Sequence, residues 1–114
     1  MGYIVHVDNS KFFRKVMKTF LSELGLESVG YDRGEDALDE IIAGRASCVI
    51  TGLELADMSG EDFVKQLFIY GHPMTIIAVT ASGDEERIRY LESLGVKATI
   101  QKAGDWKEKL REYL

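Results

Sequence analysis

The side chains of this sequence that could bind ligands stand directly after short apolar runs. Asp8 and Asn9 follow the first such run, Thr80 closes the fourth, and Lys102 follows the fifth. A carboxylate, an amide, a hydroxyl and an ammonium group are groups with which proteins bind cations and anions. The third run is followed by Gly52, which has no side chain. The sequence therefore predicts a polar site in which one position contributes no functional group.

The elements that must position these residues alternate regularly along the chain. Apolar runs rich in β-branched residues predict strands at 3–7, 27–31, 47–51, 75–80 and 97–101. Apolar residues spaced three and four apart predict helices at 11–24, 34–44, 60–70, 84–94 and 105–114. Ser10 and Ser59 are the predicted N-caps of the first and third helices.

Strands that are apolar throughout, each followed by a helix, are typical of a parallel sheet covered on both faces. Right-handed crossovers leave few topologies for such a chain. We predict a single domain over residues 1–114 with a doubly wound α/β fold, five helices and a five-stranded parallel sheet in the flavodoxin-like order 2-1-3-4-5. The carboxyl ends of the strands then bring Asp8, Asn9, Gly52, Thr80 and Lys102 to one crevice.

Composition narrows the classes of function. The chain of 114 residues is 46% hydrophobic, and its net charge of −5 argues against a nucleic-acid-binding domain. No stretch approaches 18 apolar residues, so no membrane span is predicted. Cys48, the only cysteine, is expected to be a buried thiol in a reducing, cytoplasmic protein. His6 is predicted to be a neutral, hydrogen-bonded core residue, and no residue pair indicates a metal site.

The chain resembles the receiver domain of bacterial response regulators (CheY-like) over residues 3–114. The resemblance rests on four segments: YIVHVDNS (3–10), CVITGLELADMSG (48–60), TIIAVTA (75–81) and GVKATIQKA (95–103). It implies a module of a two-component or phosphorelay signalling system. In that family, two acidic residues after the first strand and an acceptor aspartate after the third bind Mg²⁺, and the acceptor takes a phosphoryl group. The matching positions here are Asp8, Asn9 and Gly52, which stands eight residues before the glycine of the M-x-G turn.

Two of the three carboxylates implied by the resemblance are missing. Asn9 is neutral and Gly52 has no side chain, so only Asp8 contributes a negative charge. Mg²⁺ requires several oxygen ligands, and an acyl phosphate requires a carboxylate nucleophile. We therefore expect neither tight Mg²⁺ binding nor phosphorylation by the usual route of the family.

Other positions keep the family pattern in part. Thr80, Ala81 and Lys102 match the hydroxyl residue, the small residue and the lysine of the family's phosphorylation pocket. The proline usual after that lysine is Ala103 here, so we expect an ordinary trans peptide bond. Thr99 stands at the family's aromatic switch position and has no ring to rotate.

Glu54 could return a carboxylate to the pocket. It stands two positions after Gly52, from which it could pair with Lys102 in place of the missing aspartate. A solvated loop glutamate is the alternative, and Asp8 competes for the lysine. We do not expect Glu54 to accept a phosphoryl group, since proximity without geometry gives little catalysis.

The resemblance implies a partner surface on the fourth helix, the fifth strand and the fifth helix. In this chain that surface includes Arg87, Tyr90, Lys97 and Trp106, although Trp106 could instead pack into the core. The sequence thus predicts a pseudo-receiver that is not an enzyme and that binds protein partners in a bacterial signalling pathway without phosphorylation. It predicts no cofactor, no nucleic acid and no membrane, and it leaves the partner and the oligomeric state open.

Two other functions remain open from the sequence. The chain could be a phosphorylation-controlled receiver in which Gly52 has replaced the acceptor aspartate, although Asn9 and Thr99 argue against this. It could also be a flavodoxin-like domain that binds a small molecule in an open crevice.

Overall fold

The computed structural model describes residues 3–114, and its strands form one parallel sheet. The strands are β1 (Ile4–Val7), β2 (Ser28–Tyr31), β3 (Cys48–Thr51), β4 (Thr75–Thr80) and β5 (Ala98–Gln101). The helices are α1 (Lys11–Glu23), α2 (Gly34–Gly44), α3 (Gly60–Tyr70), α4 (Glu85–Ser93) and α5 (Trp106–Arg111). The strand order is β2-β1-β3-β4-β5 with every pairing parallel, which confirms the predicted fold.

Helices cover both faces of the sheet because neighbouring strand residues point to opposite sides. Val5 and Val7 of β1 belong to a hydrophobic cluster with α2, α3 and α4. Ile4 belongs to a second cluster with α1 and α5. Cys48 is buried in the second cluster, and burial raises the pKa of its thiol to about 11. No helix within residues 3–114 is long and apolar enough to cross a membrane.

The predicted bounds agree with the structure to within one residue except at the last helix. Both predicted N-caps are confirmed: Ser10 Oγ accepts a hydrogen bond from the Phe13 amide at 3.1 Å, and Ser59 Oγ accepts one from the Asp62 amide at 3.1 Å. The last helix was predicted over 105–114 but ends at Arg111. Beyond that residue, backbone N–H groups bond carbonyls three residues back instead of four, as in a tight turn.

The N-terminus of α2 is capped by a residue far away in the sequence. Arg33, the residue at the N-cap position, makes no side-chain cap bond. The carboxylate of Asp57, in the loop after β3, instead accepts hydrogen bonds from the amides of Gly34 at 2.6 Å and Glu35 at 3.0 Å. Burial alone would raise the pKa of Asp57, but these bonds and the nearby Arg33 charge lower it. Asp57 thereby attaches the β3–α3 loop to α2.

Replacing Asp57 by alanine is expected to lower the free energy of unfolding by about 1–2 kcal/mol, because two amides of α2 lose their cap. Urea unfolding of both proteins measures the difference. Asp39→Ala is the matched control, because Asp39 is exposed on the same helix and makes no hydrogen bond or ion pair within residues 3–114. An equal loss in the control would contradict the capping role.

His6 is buried, with 3% of its surface exposed, but it is not hydrogen-bonded. Neither ring nitrogen has a partner among residues 3–114, so the predicted hydrogen bond is wrong. The ring occupies the space above Gly30 of β2, where an added Cβ would lie 2.5 Å from His6 Cε1. Burial, together with the positive charges of Lys18 and Arg14, lowers the pKa of His6 to about 4. The imidazole is therefore neutral near pH 7, as predicted.

Candidate functional site

An open crevice of about 430 Å³ lies at the carboxyl ends of the strands. Its lining brings together every residue predicted for the pocket: Asp8, Asn9, Gly52, Glu54, Thr80, Ala81 and Lys102. Arg87, predicted for the partner surface, also lines the crevice. The crevice therefore draws on residues that follow four of the strands and on one residue of α4.

Backbone hydrogen bonds continue the sheet past the strands and fix these residues side by side. The Gly52 amide donates to the Val7 carbonyl at 2.8 Å, which holds Gly52 beside the end of β1. The Lys102 amide donates to the Thr80 carbonyl at 2.8 Å, which holds the lysine backbone beside the end of β4. The peptide bond between Lys102 and Ala103 is trans, as expected.

Asp8 and Lys102 form an ion pair at the base of the crevice. Lys102 Nζ donates to Asp8 Oδ2 at 2.7 Å, and the second carboxylate oxygen accepts a hydrogen bond from the Ser10 amide at 2.9 Å. Lys102 Nζ also lies 4.0 Å from the centre of the Phe13 ring, a distance typical of a cation–π contact. Asp8 is 6% exposed, so its charge is largely shielded from water and is balanced by the lysine.

Glu54 does not pair with Lys102, and the hypothesis of that pair is wrong. Arg87 Nη1 donates to Glu54 Oε1 at 2.7 Å, while Asp8 takes the lysine. The guanidinium group has several donors in a fixed plane and can bind two carboxylates at once. The side chain of Glu54 is 70% exposed at the rim of the crevice.

Arg87 joins α4 to the elements around the crevice. Besides Glu54, its guanidinium group pairs with Glu61 of α3, with Nη2 to Oε1 at 2.9 Å, and donates to the Leu53 carbonyl at 3.1 Å. The hydrogen bonds to Glu61 raise the pKa of Arg87, and the same contact lowers the pKa of Glu61. Arg87 is therefore engaged within the protein at the crevice, and its role in a partner surface stays a prediction.

The groups around Gly52 leave little room for a side chain and little charge for a metal ion. A Cβ added to Gly52 would lie 3.0 Å from Asp8 Oδ2, so the carboxylate would have to shift by a few tenths of an ångström. Asp8 offers one carboxylate, and both of its oxygens already have partners. Within residues 3–114 no group of three His, Cys, Asp or Glu side chains is arranged to hold a metal ion. The donor set does not fit Mg²⁺, which prefers several free oxygen ligands.

The sequence and the fold match a known family. Residues 4–114 match the response regulator receiver domain. The chain belongs to this family. A curated relative, the protein-glutamate methylesterase/protein-glutamine glutaminase of Geobacillus kaustophilus (strain HTA426), is 33% identical over 84 residues, which make up 72% of this chain. Those residues are 24% of the relative's length, so this receiver spans about a quarter of that protein.

Solved structures agree on the receiver fold. A CheY-like response regulator receiver domain protein from Methanospirillum hungatei JF-1 superposes with a TM-score of 0.89 at 20% identity, covering 99% of this chain and 90% of that one. The chemotaxis protein CheY4 of Vibrio cholerae superposes with a TM-score of 0.86 at 21% identity, covering 99% and 96% of the two chains. At these identities the likeness establishes the fold alone.

Trp106 of this receiver is packed into the hydrophobic interior at the first residue of α5. Its ring centre lies 5.1 Å from that of Phe13 and 5.7 Å from that of Phe20, both on α1. These contacts attach α5 to α1 and leave the indole only partly accessible. The core-packed alternative therefore holds for Trp106, and its assignment to the partner surface is corrected.

The remaining residues of the predicted partner surface lie on the outside of the receiver. Tyr90 of α4 is 43% exposed, and Lys97 before β5 is also exposed. Beside them, a groove of about 480 Å³ between α4 and α5 is lined by Ile88, Thr99 and Tyr113 among others. Thr99 Oγ1 is buried and has no hydrogen-bond partner within residues 3–114.

Proposed function

We propose that this receiver is a pseudo-receiver, a signalling module that binds protein partners without being phosphorylated. The observation that carries the proposal is the ion pair between Asp8 and Lys102, which lies directly beside Gly52. In a phosphorylated receiver the position of Asp8 binds the metal ion, that of Lys102 lies in the phosphorylation pocket, and that of Gly52 carries the acceptor. Here one carboxylate and one ammonium group neutralise each other, and no nucleophile stands between them.

The absence of a carboxylate at position 52 removes the covalent step. An acyl phosphate forms when a carboxylate oxygen attacks phosphorus, and a glycine has no atom that can do so. Glu54 is the other nearby carboxylate after β3, but its side chain is bound by Arg87 and lies at the rim. We therefore propose that the receiver is not an enzyme.

The ammonium group of Lys102 takes the place that a divalent cation would have on Asp8. It lies 2.7 Å from Oδ2, the oxygen nearest to a Cβ added at Gly52. A metal ion would have to displace this group from a carboxylate that is 6% exposed. This supports a domain that works without a metal cofactor.

Two further features favour a partner surface held in one state. Arg87 ties α4 to α3 and to the β3–α3 loop through two carboxylates and one carbonyl. Thr99 has no ring that could move between an inner and an outer position. We infer that a cytoplasmic partner contacts α4 and the segment before β5, including Tyr90 and Lys97, whatever the phosphorylation state of the pathway.

The test treats the receiver with acetyl phosphate and Mg²⁺ and measures its intact mass and its amide NMR spectrum. We expect no added phosphoryl group and no Mg²⁺-dependent shifts around Asp8. Asn9→Asp/Gly52→Asp is the positive control, because it restores the acidic residues of the family pattern. A phosphorylated or Mg²⁺-responsive unmodified receiver would overturn the proposal.

Gly52→Asp alone is expected to lower the free energy of unfolding without Mg²⁺ by about 1–2 kcal/mol, because it sets a second carboxylate against Asp8. Added Mg²⁺ should recover part of this loss. Thermal unfolding with and without Mg²⁺ measures both effects. Gly52→Asn, of equal size but uncharged, should show no Mg²⁺ response. Labelling of Gly52→Asp by acetyl phosphate would instead favour a receiver that lacks only its acceptor.

A further inference from the structure

A narrow cavity of about 10 Å³ lies between α1 and the sheet. Ile50 and Val79 line it from the strands, and Phe13 and Met17 line it from α1. Every lining residue except Phe13 is buried. Met17, Ile50 and Val79 belong to the hydrophobic cluster on the α1 face of the sheet. The cavity is therefore part of the interior of the domain, unlike the open crevice above it.

The imidazole of His6 is a polar group in this otherwise largely apolar surrounding. His6 also lines the cavity, and only 3% of its surface is exposed. Neither ring nitrogen has a hydrogen-bond partner among residues 3–114. A buried polar group without a hydrogen bond costs free energy, so such groups are nearly always bonded to protein or to an ordered water molecule. The burial of His6 therefore calls for a partner that the side chains do not supply.

The polar side chains nearest to His6 are already engaged elsewhere. Arg14 and Lys18 act on the imidazole through their charges, which contribute to its lowered pKa. Arg14 donates to the Asp8 carbonyl at 2.7 Å, and Lys18 donates to the Ser28 carbonyl at 2.6 Å. Because the imidazole is neutral near pH 7, one of its nitrogens donates and the other accepts. A small molecule that can do both is the partner that suits either nitrogen.

Asp8 brings a second polar side chain to the same cavity. Its Oδ2 accepts from Lys102 Nζ at 2.7 Å, and its Oδ1 accepts from the Ser10 amide at 2.9 Å. A carboxylate oxygen can accept about two hydrogen bonds, so each oxygen keeps one further acceptor position. A buried water molecule needs roughly two to four polar partners. His6 and Asp8 together meet this requirement.

Size and charge favour water over an ion or a larger ligand. The cavity of about 10 Å³ is close to the roughly 10–15 Å³ that one water molecule needs. A cation would be repelled by Arg14 and Lys18 and would find the charge of Asp8 already balanced by Lys102. An anion would lie against the Asp8 carboxylate. A single neutral molecule that donates and accepts hydrogen bonds fits this space.

We propose that the cavity is a hydration site, in which one long-lived water molecule bonds His6 and Asp8 and exchanges with solvent past Gly52. The cavity and the crevice share Asp8, Gly52 and Val79 in their linings, so the two spaces are neighbours. Gly52 has no side chain to thicken the wall between them. The glycine then opens a route for water into the α1 side of the core, in addition to lacking a nucleophile.

Oxygen-17 relaxation dispersion of the solvent tests the site, because it counts the water molecules that a protein holds for long times. We expect His6→Phe and Val79→Ile each to lower the dispersion amplitude by the equivalent of one water molecule. His6→Phe keeps a ring but removes its hydrogen-bonding atoms, and Val79→Ile fills the cavity with a methyl group. A nuclear Overhauser effect between water and the Met17 methyl group, lost in both variants, should place the water in this cavity.

Val5→Ile is the matched control, since it adds the same methyl group to the core on the opposite face of the sheet, away from the cavity. Its dispersion amplitude should equal that of the unmodified receiver. An unchanged amplitude in His6→Phe, or an equal loss in Val5→Ile, would overturn the hydration site. His6→Phe decides the matter alone if the larger side chain of Val79→Ile prevents folding.

The exchange route has its own test at position 52. Gly52→Ala should lengthen the residence time of the water several-fold, because the added Cβ lies 3.0 Å from Asp8 Oδ2 and narrows the passage. Asn9→Ala is the control, because Asn9 lines the crevice but not the cavity. A residence time that is unchanged in Gly52→Ala, or lengthened equally in Asn9→Ala, would contradict exchange past Gly52.

Discussion

Replacing Lys102 by methionine is expected to lower the free energy of unfolding by about 2–3 kcal/mol. Asp8 is 6% exposed, and without the ammonium group its carboxylate has no counter-charge. Removing one partner of a buried ion pair typically costs roughly 3–5 kcal/mol. The lower figure applies here because the side chain of Lys102 is 21% exposed, so water screens part of the interaction. Chemical denaturation near neutral pH measures the loss.

Two variants separate this ion pair from general effects of removing a charge. Asp8→Asn/Lys102→Met should recover much of the stability, because neither charge remains, and the double-mutant cycle gives the coupling. Lys109→Met breaks an exposed pair with Asp105 and should cost less than about 1 kcal/mol. Equal losses in Lys102→Met and Lys109→Met would contradict a special role for the Asp8–Lys102 pair.

Acidification from pH 6.5 to about 4.5 is expected to reduce the free energy of unfolding by about 2–3 kcal/mol through His6 alone. The folded state holds the pKa of His6 at about 4 because of burial and the charges of Lys18 and Arg14, whereas its ordinary value is 6.5. Between these values the unfolded chain binds a proton that the folded chain does not, so stability falls as the pH falls. Asp8 opposes this effect but is outweighed.

Urea unfolding at several pH values, with His6→Leu as the control, isolates this contribution. Some carboxyl groups of the folded protein have a lowered pKa, such as Asp57 and Glu61, whose ordinary pKa values are 3.8 and 4.5. The range from pH 6.5 to 4.5 lies at or above these ordinary values, so most of the stability that these groups contribute is lost only below it. The leucine variant should lose most of the slope. A slope that survives in His6→Leu would show that another group titrates.

The fold was predictable because its signals are local and repeated. Apolar runs mark the strands, serine caps mark two helix starts, and crossover handedness leaves few strand orders. The cap of α2 was not predictable, because Asp57 lies 23 residues from Gly34 and reaches it only in the folded chain. The end of α5 was not predicted either. The residues after Arg111 contain no glycine or proline to mark a helix end, but their backbone N–H groups bond carbonyls three residues back instead of four.

The site was predictable in its location and only partly in its contacts. Parallel strands bring their carboxyl ends to one edge of the sheet, so Asp8, Gly52 and Lys102 were expected to line one crevice. Contact between Asp8 and Lys102 did not follow from this, because β3 and β4 lie between β1 and β5. The sequence holds several carboxylates and several cations near this edge, and spacing alone does not rank the possible pairs. The ion pair between Arg87 and Glu54 forms because α4 packs over the β3–α3 loop, and this packing is not visible in the local sequence.

The position of Trp106 allows its fluorescence to report on structural changes in the receiver. It is the only tryptophan of the chain, and its indole contacts Phe13, whose ring in turn contacts the ammonium group of Lys102. The emission of Trp106 therefore depends on its packing against α1. Through Phe13 it also depends on the position of Lys102 at the base of the crevice. Intrinsic fluorescence can follow events at both places without an attached dye.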